Sequence, residues 1–162
     1  MKKLIGVLTL ISVFMFVPSA FGATLSSWTE TSTPLWNING KIVTLVWTAH
    51  DTNAGVSAYQ CTSIAGDMLD KIVVDPSGTT APTALYDILI NDVLMEYDVL
   101  GGKGSDMVAT GDGVEIQLYR GSGVYGSSAI GPSGVSVHIL NNSANVASGT
   151  IHLILRHKEG GS

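Results

Sequence analysis

Sulfur cross-links are the first thing this 162-residue chain lacks: it contains a single cysteine, Cys61. One thiol excludes an intrachain disulfide, so stability has to come from packing, and Cys61 reads as a small buried thiol in preference to a subunit cross-link. Charge is sparse too. Asp, Glu, Lys and Arg make up 13% of the residues and hydrophobic types 45%, a balance that excludes a disordered chain and supplies ample material for a core. Phenylalanine is confined to Phe14, Phe16 and Phe21, which leaves the aromatic content of the remainder to Trp and Tyr. Catalytic signatures are missing as well: there is no Gly-x-Ser-x-Gly elbow, no His-Glu-x-x-His, and no cysteine in a motif with histidine. The carboxylates Asp87, Asp92, Glu96 and Asp98 read as turn and outer-face residues. The chain is therefore not expected to be an enzyme, and no cofactor is implied.

What is present begins at the N-terminus. Lys2 and Lys3 precede an apolar run over residues 4–17, followed by Pro18 and the small-residue pattern Ala20-Phe21-Gly22. This is the pattern of a secretory signal peptide over residues 1–22, with cleavage expected before Ala23. Cleavage would remove two lysines and no acidic residue, moving the net charge of −5 two units further negative. Beyond residue 22 no Lys/Arg cluster offers a footprint for phosphate backbones or anionic lipid, so nucleic acid and membrane surfaces are not expected partners. The expected organisation is a signal peptide at 1–22, a polar N-terminal arm at 23–34 carrying Trp28, a β-sandwich domain at 35–158 and a tail at 159–162. The protein is expected to be exported, to the periplasm or the extracellular space. No membrane anchor is expected after cleavage, since Cys61 lies far from the position of a lipid-modified cysteine.

Helical periodicity is nowhere sustained over ten residues past the signal, whereas alternation with period two recurs. Asn39-Gly40 sits between Leu35-Trp36-Asn37-Ile38 and Lys41-Ile42-Val43-Thr44-Leu45-Val46-Trp47, the arrangement of a two-residue type I′ hairpin. In that register Trp36 faces Val43, and Trp36, Ile38, Val43, Leu45 and Trp47 share one core face. Strands are predicted over 56–64, 68–75 and 84–91, the last with apolar residues on both sides and so central in its sheet. Residues 92–100 fit either a strand or a short helix. Val114, Ile116 and Leu118 alternate with polar neighbours, as do Val135, Val137 and Ile139, and Ile151, Leu153 and Leu155. The last two runs are predicted to be hairpin partners. The fold class is thus all-β, a single antiparallel β-sandwich, jelly-roll or Ig-like, of about eight or nine strands.

Several groupings bear on chemistry. In the predicted C-terminal hairpin His138 and His152 lie cross-strand, which makes them the metal-ligand candidates, although two imidazoles do not complete a tetrahedral shell and no metal site is assigned. Asp51-Thr52-Asn53-Ala54-Gly55 opens like a calcium loop but lacks the distal glutamate, so it reads as a turn. Gly101-Gly102-Lys103-Gly104-Ser105 lacks phosphate-loop spacing and reads as a loop. Trp28, Tyr119 and Tyr125 are the candidates for an aromatic ligand platform of the kind used by sugar-binding sandwiches.

From Lys41 onward the order of signals resembles a group of small, mostly uncharacterised proteins encoded in bacteriophage and prophage genomes, virion-associated or structural. The resemblance is carried by Lys41-Ile42-Val43-Thr44-Leu45-Val46-Trp47-Thr48-Ala49, by Gly78-Thr79-Thr80-Ala81-Pro82-Thr83-Ala84-Leu85-Tyr86-Asp87, by Asp98-Val99-Leu100-Gly101-Gly102-Lys103-Gly104, and by Asn141-Asn142-Ser143-Ala144-Asn145 with Gly149-Thr150-Ile151-His152-Leu153-Ile154-Leu155-Arg156. None of these motifs is catalytic. The resemblance implies a β-rich structural or binding module, a homo-oligomer or part of a larger protein assembly such as a virion, and transfers no active site. The alternatives are an extracellular carbohydrate- or ligand-binding module and, third, a glycan hydrolase with carboxylates dispersed over several strands.

Overall fold

The period-two alternation of β-branched and aromatic residues sets which side of each strand faces inward, and two sheets close over the apolar sides. The computed structural model of the protein describes residues 25–35, 39–111, 113–120 and 124–157. In chain order the strands are β1 (Ser27–Leu35), β2 (Gly40–Thr48), β3 (Tyr59–Cys61), β4 (Met68–Pro76), β5 (Asp87–Asp92), β6 (Val114–Gln117), β7 (Tyr119–Arg120), β8 (Val124–Tyr125), β9 (Ser128–Ala129), β10 (Val135–Leu140) and β11 (Ser148–Arg156). The larger sheet runs β1-β2-β11-β4-β6, with β9 also paired to β4; the smaller runs β3-β10-β5; β7 and β8 form a short ribbon. Every pairing is antiparallel, and no helix occurs among the described residues. The chain is all-β and sandwich-like.

Between the sheets lies one continuous core. Val43, Leu45 and Trp47 of β2, Ile151, Leu153 and Leu155 of β11, and Leu69, Ile72 and Val74 of β4 face Ile88 and Ile90 of β5 and Val135, Val137 and Ile139 of β10. A bulge where β4 passes Ile154 and Leu155 inserts Asp70 as an extra residue. It lets Leu69 and Ile72, three apart, both point inward, and it aims Asp70 at Arg156, whose Nε and terminal nitrogen donate to the two carboxylate oxygens at 2.6 and 2.8 Å. Trp47 is fully buried, tilted against Tyr86 with ring centroids 6.2 Å apart. Cys61 is buried as expected, and desolvation pushes its thiol up to about 11.

Four expectations change. β1 and β2 are consecutive antiparallel neighbours and Asn39 takes φ 45°, but Gly40 already belongs to β2, paired with Leu35, and Ser32 pairs with Val43, so the expected two-residue Asn39-Gly40 turn is not what joins them. This register slides β1 by four residues, so that Trp28 packs opposite Trp47 instead of beyond the end of β2. The segment read as an arm is therefore largely an integral edge strand, while Trp36 and Ile38 lie outside the described residues. Second, β10 and β11 are not a hairpin: they belong to different sheets, because the chain alternates between sheets from β2 to β6 and again from β10 to β11. Third, β5 lies at the edge of the smaller sheet, and the run begins only at Asp87, since Leu85 takes φ 65° and turns its side chain to solvent at 61% exposure. Fourth, residues 93–95 form a turn and 96–97 are irregular, neither strand nor helix, and Asp92 is a buried inner-face residue instead of an outer one.

Candidate functional site

The turns that follow β5 fold back along its free edge. Asp92 and Val99 donate their N–H groups to Tyr97 and Ile90 at 3.0 and 2.7 Å, Ile88 donates to Gly104 at 2.7 Å, and Met107 donates to Tyr86 at 2.8 Å. Residues 97–107 thereby seal that edge, and their tip is held by Asp98, whose carboxylate accepts the N–H groups of Leu100 at 2.9 Å and Gly102 at 2.6 Å. Behind this tip, between residues 97–103 and the stretch that leads from Leu118 past the ribbon to β9, is an open cleft of about 440 Å³. Val99, Leu100 and Leu118 form its apolar part. Tyr97, Asp98, Lys103, Ser127 and Ser128 supply the polar groups.

Most of those polar groups are already engaged. The Tyr97 hydroxyl donates to the Ala129 carbonyl at 3.2 Å and lies 3.1 Å from Ser128 Oγ, and Ser127 Oγ accepts from Arg156 at 3.4 Å. Gly126 donates to the Leu118 carbonyl at 3.0 Å, bracing the base of the ribbon in which Tyr119 pairs with Tyr125. One amine, one carboxylate and several hydroxyls around an apolar floor suit a neutral polar ligand that exchanges hydrogen bonds. No nucleophile–base pair is set up among the described residues of the cleft.

The aromatic candidates are separated. Tyr119 and Tyr125 pair in the ribbon that follows β6, whereas Trp28 is in β1 at the opposite edge of the larger sheet, with β2, β11 and β4 between. Trp28 stacks on Tyr59 at 5.4 Å and 24°, and its indole N–H donates to the Ser57 carbonyl at 2.7 Å. It closes the gap between β1 and β3, and is half-buried there in place of forming an exposed platform. Tyr59 in turn donates to Glu30 Oε2 at 2.9 Å; burial, then this hydrogen bond and the carboxylate's charge, push its phenol up to about 12.

His138 and His152 fall in different sheets. His138 Nε2 lies 2.9 Å from Ser136 Oγ, and His152 Nδ1 lies 3.0 Å from Thr44 Oγ1. No group of three or more His, Cys, Asp or Glu side chains with metal-holding geometry occurs among the described residues. Residues 50–55 make a turn in which Asn53 accepts from Gly55 N–H at 3.0 Å and His50 Nδ1 from Thr52 N–H at 3.1 Å. Asp67, buried, ion-pairs with Lys41 at 2.8 Å and lies 2.8 Å from His157 Nδ1, tying β2 and the end of β11 to the turn before β4. No described helix is long and apolar enough to cross a membrane.

Two surfaces escaped sequence reasoning. The cleft is assembled from turns whose polar side chains serve the backbone, so Tyr97 and Asp98 carry no motif. The other surface is β1. Ser27, Thr29, Thr31 and Thr33 alternate at period two, but because they are polar the pattern read as an arm. These side chains are exposed and share the outer face of the sheet with Thr44, Val46 and Thr48, while the strand's far edge has no partner strand among the described residues. No family model, no curated protein and no solved structure matches the chain.

Proposed function

We propose that this chain is a non-enzymatic, exported structural or binding module that assembles with copies of itself or into a larger particle, as its resemblance to phage- and prophage-encoded β-sandwich proteins implies. One observation carries this reading: the contrast between the edges of the two sheets. The edge of β5 is sealed by residues 97–107, the far edge of β4 is covered by β6 and β9, and β3 is only three residues long. β1 runs for nine residues, is rich in Thr and Ser, carries no lysine or arginine, and has no strand paired along its outer side among the described residues. An uncovered edge of that length is a template for another strand, which proteins otherwise shield. Multi-angle light scattering of the purified protein at micromolar concentration is the test. A mass at or above twice the protomer is expected, and a monomer throughout refutes assembly.

The 440 Å³ cleft beside the Tyr119–Tyr125 ribbon favours a second reading, an extracellular module for a neutral polar ligand such as a saccharide. A monomer whose thermal midpoint rises with added oligosaccharide would favour it over assembly.

A further inference from the structure

We infer that β1 pairs with β1 of a second copy, antiparallel about a two-fold axis through Thr31, fusing two six-stranded sheets into one. The inference rests on the assembly reading and names its geometry. Exposed edge hydrogen-bonding groups accept an extended strand, and in an isologous dimer the same segment supplies both sides.

The register follows from three constraints. A continuous outer face requires that each residue meet a residue of the same facing, which limits a two-fold antiparallel pair to registers in which some residue lies opposite its own copy. Among these, full overlap of Ser27–Leu35 is reached only when the centre is Thr31, the middle of the strand. Charge makes the same choice. Centring on Glu30 would set two carboxylates directly opposite, a destabilising like-charge pair, whereas centring on Thr31 places Glu30 opposite Ser32 of the second copy. Glu30 is in any case turned to the core side, where it accepts the Tyr59 hydroxyl.

In this register Thr31 faces Thr31, Thr29 faces Thr33 and Trp28 faces Pro34 of the second copy. The first two are cross-strand threonine pairs of the kind that stabilise sheets, and they extend the threonine-bearing outer face of β1 and β2 without a break. Pro34 lacks an N–H and sits near each end of the pairing, where the loss of one ladder bond per end is tolerated.

Thr31→Cys tests the geometry. Directly opposed residues in an antiparallel pair have Cα atoms about 4.5–5.5 Å apart, within disulfide range. Mild oxidation of Thr31→Cys is expected to give a covalent dimer, as is an equimolar mixture of Thr29→Cys and Thr33→Cys, whereas either of those variants alone stays uncrosslinked, as does the wild type with its buried Cys61. Thr31→Lys, which sets two ammonium groups face to face, is expected to halve the particle mass while the β-sheet circular dichroism is retained, because Thr31 is exposed in the protomer, and its unfolding midpoint should lose the concentration dependence that association confers. If wild type assembles but Thr31→Cys does not cross-link and Thr31→Lys leaves the mass unaltered, the β1 pairing is wrong and assembly through another surface stands. If wild type is a monomer, both fall.

Discussion

Replacing Gly149 by alanine tests the packing of the core at its tightest point. Gly149 lies directly opposite Trp47 across the β2–β11 ladder, and a Cβ there would come within 2.9 Å of the indole Nε1 and 3.1 Å of Cε2 and Cζ2. Those separations are well inside the ~3.5–4.0 Å at which heavy atoms pack favourably. The indole has little freedom to retreat: it is fully buried and lies against Tyr86. Two effects oppose each other. Alanine in a strand interior gains roughly 0.5–1 kcal/mol over glycine from reduced chain entropy, while overpacking a well-filled core costs about 1–3 kcal/mol. Overpacking wins, with a net loss of about 1–2 kcal/mol expected in urea denaturation. A cycle with Trp47→Phe isolates the cause. Phenylalanine lacks the atoms that the new methyl would strike and also removes an indole N–H that has no hydrogen-bond partner among the described residues. The double variant should therefore be more stable than the two single losses predict, with a coupling of about 1 kcal/mol or more. A neutral or stabilising Gly149→Ala, or strict additivity, would refute the close approach of these two residues.

Two further variants probe polar ties. Asp92 is 1% exposed and accepts N–H bonds from Gly131 at 2.7 Å, Leu94 at 3.0 Å and Met95 at 2.9 Å; burial alone would raise its pKa, but the three donors outweigh burial and hold it below the ordinary carboxylate value. Its contribution to stability is thus complete above the unfolded pKa of about 3.9 and is lost as pH falls through the lower folded value; Asp92→Asn, which turns an amide N–H against that of Gly131, should cost about 1–3 kcal/mol at pH 7 and flatten this acid limb in a pH series of urea midpoints. Trp28→Phe should cost about 1 kcal/mol through the lost bond to Ser57, and Trp28→Ala a further ~1 kcal/mol through the lost stack on Tyr59, read by the same titration; no change for Trp28→Ala would mean that the indole does not close the sandwich.

Faces were legible in the sequence, and of the neighbours only the β1–β2 pair was. The inward set of Val43, Leu45 and Trp47, of Val135, Val137 and Ile139, and of Ile151, Leu153 and Leu155 follows from alternation, because a one-residue slip would expose every member of a set. Alternation says nothing about which strand lies beside which. The chain crosses between sheets after most strands, so the loop after β10 leads to the opposite sheet, and His138 and His152 end up on different layers although their spacing suits a hairpin. Trp28 was readable as an aromatic but not as a clasp, since its partners Ser57 and Tyr59 are about thirty residues away and meet it only once the sheets have stacked.

The edges pose the harder problem, because edge protection depends on backbone groups and leaves no mark in side-chain pattern. Leu85, Leu89 and their inward neighbours make β5 look like a central strand, yet it is an edge, and what allows it to be one is the run of backbone bonds from residues 97–107. Asp98 holds that run in shape by capping Leu100 and Gly102, so the same carboxylate that shields one edge also builds the wall of the cleft. β1 presents the opposite case. Its sequence alternates too, with Ser27, Thr29, Thr31 and Thr33 on the outer face, and it has the length of β2 with no strand paired to its far side among the described residues. One sheet of the sandwich has its β5 edge closed by eleven residues of folded-back chain, while the other leaves its longer β1 edge without a paired strand among the described residues. The sealed edge supports a cleft, and the open edge is the strand-shaped site that the proposed β1 pairing would fill with the same nine residues running the other way.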